Sequence, residues 1–97
     1  MLTYKAMYKY PDEGIRGEVL DFPGVITSGT DLEETRRLLA SALVDIAETN
    51  LLHGEPLPKP DPLSTGPDAD LEEPIHLLLT AAMRVSFVAQ RVLRLSL

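Results

Sequence analysis

The sequence predicts an α+β fold in two layers: an antiparallel three-stranded meander followed by one helix packed on the sheet and a final strand, β-β-β-α-β. Three observations carry this. Residues alternate with period two ahead of position 21, apolar residues recur every three or four positions from Leu32 to Ile46, and apolar odd positions return from Ile75.

From Thr3 to Tyr10, Tyr4, Ala6, Tyr8 and Tyr10 fall on one side and Thr3, Lys5, Met7 and Lys9 on the other, the pattern of a half-buried strand. Pro11-Asp12-Glu13-Gly14 then reads as a hairpin loop, with proline pre-set for the turn and glycine free to leave it. Ile15, Gly17 and Val19 alternate with Arg16, Glu18 and Leu20 to give the second strand. Tyrosines on one strand face suit a base-stacking platform only among basic residues, and few surround them here, so a core or protein interface is the better assignment.

Phe22-Pro23-Gly24 reads as a tight turn, and Val25 to Ser28 as a short β-branched strand. After Gly29, Thr30 followed three residues later by Glu33 has the form of a capping box, in which hydroxyl and carboxylate each satisfy an orphaned backbone N–H. The helix is expected from Asp31 to His53. Leu32, Thr35, Leu39, Ala42, Leu43 and Ile46 form its apolar stripe, with Glu34, Arg37, Ser41, Asp45 and Glu48 opposite and Glu33–Arg37 as an i,i+4 pair. Gly54 suits the position after the helix, and Pro56 forbids continuation.

Residues 55–74 hold six of the eight prolines and read as an extended, semi-rigid connection. From Ile75 the odd positions to Phe87 are apolar, which predicts a long final strand re-entering the sheet. Residues 82–97 read equally as strand or helix. The expected organisation is one domain over residues 1–88, with 55–74 a connection inside it and 89–97 an apolar tail. That tail is a natural subunit contact, predicting a homodimer or higher symmetric oligomer.

The chain of 97 residues is 44% hydrophobic, enough for one modest core. It has no cysteine, so disulfides and thiolate metal sites are excluded. The start has no apolar signal-like region and no apolar run reaches the roughly 18 residues of a membrane span, so the expectation is a cytoplasmic protein away from the membrane. A net charge of −6 argues against nucleic-acid binding through phosphates and favours a basic partner.

Catalysis needs a base beside a nucleophile or a matched carboxylate pair. The candidates are Asp21, Asp31, Glu33, Glu34, His53 and His76, and each has a plainer role. Asp21 precedes the Phe-Pro-Gly turn, Asp31 and Glu33 lie where a helix N-terminus favours negative charge, Glu34 falls on the outward helix face, and His53 lies at a C-terminus that favours a cation. The two histidines have no paired ligand spacing. Gly14-x-x-Gly17 falls in a hairpin without the helix a phosphate loop requires. The expectation is no enzyme, no metal and no cofactor.

An aromatic-Pro-Gly turn (Phe22, Pro23, Gly24), a short strand, then Gly29-Thr30-Asp31-Leu32-Glu33-Glu34 opening a helix resembles the HicB-type antitoxins of bacterial toxin–antitoxin pairs. Gly54 and Leu57-Pro58-Lys59-Pro60 match the glycine and "Leu-Pro-x-Pro" that follow the helix in that family, and the resemblance covers residues 2 to 62. The fold it implies is a partial ribonuclease H-like sheet. The function it implies is binding and steric neutralisation of a small basic HicA-type toxin that cleaves mRNA. Full-length members add a DNA-binding segment. This sequence shows only a short apolar tail there, so DNA binding is not expected. The expected contact material is the helix face with Glu34, Asp45 and Glu48, the hairpin acids Asp12 and Glu13, and the proline-rich segment. The rival expectation is a stand-alone oligomeric binding module of the same fold with no toxin partner.

Overall fold

The computed structural model describes residues 1–78. They form β1 (Leu2–Lys9), β2 (Ile15–Val19), β3 (Ile26–Gly29), α1 (Leu32–Leu52) and β4 (Leu71–Leu77), in the expected order. The four strands make one sheet in the order β3-β2-β1-β4, with every neighbouring pair antiparallel. The helix covers one face.

The register explains which side chains meet the helix. Directly opposed residues share a face. The pairs Tyr4↔Ile75, Tyr8↔Leu71, Leu2↔Leu77, Ala6↔Val19 and Tyr8↔Gly17 therefore line up Tyr4, Ala6, Tyr8, Gly17, Val19 and Leu77 on the helix side, all buried. Leu39, Leu43 and Ala47 close the core from α1, with Leu32, Ala42 and Ile46 packed at its margin. Ala47 completes a stripe whose other members follow from spacing. Tyr10 does not join this face. It lies past the end of β1, about half exposed, with its N–H donated to Asp70 Oδ2 at 2.7 Å.

Phe22-Pro23-Gly24-Val25 is a type II turn. Proline sits at its second position, Gly24 has φ 90°, and Val25 N–H donates to Phe22 C=O at 3.4 Å. The turn drives Phe22 into the core, where its ring meets Tyr4 edge-on at 5.2 Å. The third strand begins at Ile26, one residue later than expected, because Val25 still belongs to the turn's hydrogen bonding.

The helix start corrects the capping assignment. Asp31, not Thr30, is the N-cap; its Oδ1 accepts from Glu34 N–H at 2.8 Å, and Glu34 Oε1 accepts from Thr30 N–H at 3.0 Å. The box is shifted by one residue, and Glu33 takes no part. Asp31 prevails because its extended backbone already points a carboxylate at the third helical N–H, where a charged acceptor is stronger than a hydroxyl. The C-terminus is as expected. His53 is the C-cap, Gly54 follows at φ 71°, and the bonds Glu55 N–H to Asn50 C=O and Gly54 N–H to Leu51 C=O form a Schellman motif.

The last strand starts earlier than the sequence suggests, at Leu71, so residues 71–74 belong to β4 rather than to the connection. Pro74 is tolerated there for a geometric reason. Its partner Lys5 turns both backbone groups toward β2, N–H to Asp21 and C=O from Leu20 N–H, so Pro74's missing N–H falls on the outer edge of the sheet. The expected continuation of this strand to Phe87, and the tail 89–97, lie outside the described residues.

Residues 53–70 thus form a strap that leaves the helix and crosses the sheet before β4 begins beside Tyr8. Tyr4 Oη donates to Pro58 C=O at 2.6 Å, and Lys5 Nζ donates to Pro62 C=O at 3.2 Å and Ser64 C=O at 2.7 Å. Gly66 then lies against Met7, whose side chain is buried on the face away from the helix. The strap's length lets the chain reach the far end of β1, which is why β4 runs antiparallel to it.

Candidate functional site

The acids singled out in the sequence occupy two linked places. Asp12 and Glu13 are exposed at the β1–β2 hairpin tip, which Gly14 leaves at φ 71°. Ile15 pairs with Gly29, and Thr35 Oγ1 lies 3.4 Å from Ile15 C=O, so the hairpin tip and the helix N-terminus with Glu34 share one end of the molecule. Asp45 and Glu48 follow 11 and 14 residues later. At 100° and 1.5 Å per residue they fall within a strip about 60° wide running about 21 Å along the helix. That strip lies opposite the buried Thr35, Leu39, Leu43 and Ala47. Asp45 is exposed, and Glu34 and Glu48 are partly so.

Arg37 is exposed beside this strip but makes no salt bridge to Glu33 among the described residues; the expected i,i+4 pair is not formed. The helix's ion pair is a tertiary one. Arg36 Nε and Nη2 donate to Glu73 Oε1 and Oε2 at 2.7 and 2.8 Å, clamping α1 to β4. Hydrogen bonds from the guanidinium hold the Glu73 carboxyl below its ordinary range against the opposing effect of burial, and the same pairing raises Arg36. Burial, and then the Glu73 charge beside it, push the Tyr8 hydroxyl up to about 12. Tyr4 is raised by burial first and by Asp21 second.

The remaining candidates are held in structural roles. Asp21 Oδ1 accepts from Lys5 N–H and Oδ2 from Asp61 N–H, both at 2.9 Å, so one carboxylate ends the β1–β2 ladder and pins the strap. Asp31 and Glu34 cap the helix, His53 ends it, and His76 Nδ1 lies 3.0 Å from Thr3 Oγ1 across the β1–β4 pair. Among the described residues no three His, Asp or Glu side chains gather as a metal site. No helix among them is long and apolar enough to cross a membrane.

Two features escape local sequence patterns. One is the Arg36–Glu73 clamp. A signal for it exists, because extending the Ile75–Leu77 alternation backwards places Glu73 on the apolar face between Leu71 and Ile75, and a charge there needs a partner. The other is a cleft of about 380 Å³ on the sheet face away from the helix, walled by β1, β4 and the strap. Asp21, Asp61, Glu72, Pro62 and Pro74 line it, drawn from the end of β2, the strap and β4, a juxtaposition that no short window encodes.

No protein-family model matches the sequence, and no curated protein matches it.

Proposed function

We propose that this chain is an antitoxin-like protein that binds a small basic mRNA-cleaving toxin and neutralises it sterically, with no catalysis of its own. The observation that carries the reading is the solvent-facing strip of α1, on which Glu34, Asp45 and Glu48 share one side of a helix and Asp12 and Glu13 extend the negative surface at its N-terminal end. A rigid helix on a closed core presents these charges at fixed spacing, and a net charge of −6 adds long-range attraction for a cation-rich RNA-binding surface. Covering that surface is enough to stop RNA from reaching it. The resemblance at Phe22-Pro23-Gly24 and at Gly29 to Glu34 supports the same reading, as does the β-β-β-α-β order.

The test is a ribonuclease assay on the basic protein that co-purifies with this chain from its native cells. Once separated, that protein is expected to degrade mRNA, and one equivalent of this chain is expected to stop it. Undiminished cleavage in the presence of excess chain would refute neutralisation.

A further inference from the structure

The two edges of the sheet are built differently. On β4 the backbone groups of Glu72, Pro74 and His76 turn outward, because those of Leu71, Glu73 and Ile75 face β1. Pro74 has no N–H to offer in the middle of that edge, and Glu72 is exposed and charged, both features that deter a further strand. The β3 edge has neither guard. Ile26-Thr27-Ser28-Gly29 carries no charge and no proline.

The register decides which groups β3 leaves open. Val19 N–H donates to Val25 C=O at 3.0 Å, so along the antiparallel ladder Gly17↔Thr27 and Ile15↔Gly29 also turn their backbone groups toward each other. Ile26 and Ser28, opposite Glu18 and Arg16, turn theirs the other way, and none of these N–H and C=O groups is bonded among the described residues. Ile26 shares the sheet face of Glu18 and Met7, away from the helix, and its side chain is 47% exposed.

We propose that β3 pairs antiparallel with β3 of a second copy of this chain, about a two-fold axis through Thr27, joining the two sheets edge to edge. In this register Ile26 stands opposite the partner's Ser28 and Ser28 opposite the partner's Ile26, so every outward N–H and C=O of both residues meets its complement. Moving the axis to Ile26 or Ser28 leaves half of them outside the paired strand. Charge selects the occupant. A chain of net charge −6 repels its own kind, and this neutral edge is where it can meet itself without opposing like charges. The two-fold directs Asp31, at the helix start, toward the partner's Pro23-Gly24 turn, whereas parallel pairing would set it beside the partner's Asp31. A basic segment, the occupant assigned to the helix strip, finds no acid on β3.

The chain has no cysteine, so single substitutions report the register. Directly opposed residues of a non-bonded antiparallel pair have Cα atoms about 4.5 Å apart, within the roughly 4.4–6.8 Å a disulfide spans, whereas diagonal neighbours are about 7–8 Å apart. Under mild oxidation Thr27→Cys, on the axis, is therefore expected to give a cross-linked dimer at least about five-fold faster than Ile26→Cys, although Ile26 is the more exposed side chain. In sedimentation of the full chain over a range of concentrations, the unaltered protein is expected to associate to a dimer. Ile26→Lys adds a charge of the kind that guards natural edges, and Ser28→Pro removes an outward N–H. Each is expected to weaken the dimer at least about five-fold with the circular dichroism unchanged. Cross-linking of Ile26→Cys as fast as Thr27→Cys would overturn the proposal, as would an unaltered chain that stays monomeric. A dimer equally strong in the folded edge variants would put the contact on another surface and overturn it too.

Discussion

Arg36 grips Glu73 with two hydrogen bonds, 2.7 and 2.8 Å long, joining the middle of the edge strand β4 to the second turn of the helix. The pair ties the edge strand to the helix beside the core, where β4 already contributes buried Leu77 and partly buried Leu71 and Ile75. The clamp carries a pH signature at each end of the scale.

Because Glu73 is held below its ordinary value of 4.5, its contribution is present above that value and lost as pH falls through the lower folded one. The Tm gap between the natural chain and Glu73→Gln is expected to be widest near neutral pH and to close below about pH 4.5. Tyr8, raised from 10.0 to about 12, stabilises the fold fully below pH 10 and loses that contribution as pH rises toward about 12. Tyr8→Phe keeps the ring, so alkaline titration should lower the natural chain's stability more steeply than the variant's over that interval. Parallel pH profiles for chain and variants would remove the electrostatic role assigned to this cluster.

The helix cap separates two neighbouring residues. Asp31→Ala removes the acceptor for Glu34 N–H and is expected to cost about 1 kcal/mol in urea unfolding, whereas Thr30→Ala should stay within about 0.5 kcal/mol. The reverse order would restore the Thr30–Glu33 box.

Gly29 sits where the helix comes closest to β3. A Cβ there would lie 2.5 Å from Thr35 Oγ1 and 3.0 Å from Thr35 N, so Gly29→Ala must push the first turn outward, at about 1–3 kcal/mol. Adding Thr35→Ala removes the hydroxyl clash but not the backbone one, and calorimetry should show partial recovery only. Full tolerance of Gly29→Ala would mean the helix start is not packed this tightly.

Asp21→Ala leaves the N–H groups of Lys5 and Asp61 without their acceptor. It is expected to cost about 1–3 kcal/mol and to speed hydrogen exchange at Asp61 more than at the β1–β2 ladder. Unchanged exchange at Asp61 would show that the strap is held by Tyr4 and Lys5 without it.

The elements legible in the sequence are those built from local periodicity. Tyr4, Ala6 and Tyr8 alternate, Thr35, Leu39 and Leu43 recur at helical spacing, and Gly54 stops the helix in the conformation its lack of a Cβ permits. What local pattern obscured was decided by tertiary geometry. Pro74 disguised the start of β4, because whether a proline is tolerated depends on which edge its nitrogen faces. Thr30 and Asp31 are both good caps, and the backbone of the turn chose between them. The Arg36–Glu73 clamp and the Asp21–Asp61 pin join residues 37 and 40 positions apart, so no window along the chain contains both partners. The interaction acids follow from exposure and charge. The fold places them on one end and one side of the molecule, a placement that three- and four-residue spacing foreshadowed for the helix members alone.

The most direct measurement is affinity capture from native-cell lysate at low and high salt, using the natural chain and the Glu34→Lys, Asp45→Lys, Glu48→Lys variant side by side, with mass spectrometry of what is retained. Attraction between exposed charges is screened over a Debye length of about 3 Å at 1 M salt against about 10 Å at 0.1 M. A small basic protein is therefore expected on the natural chain at low salt, depleted at high salt, and absent from the variant. Recovery of the chain alone, or equal retention by chain and variant, would contradict the helix strip as the surface that takes the partner.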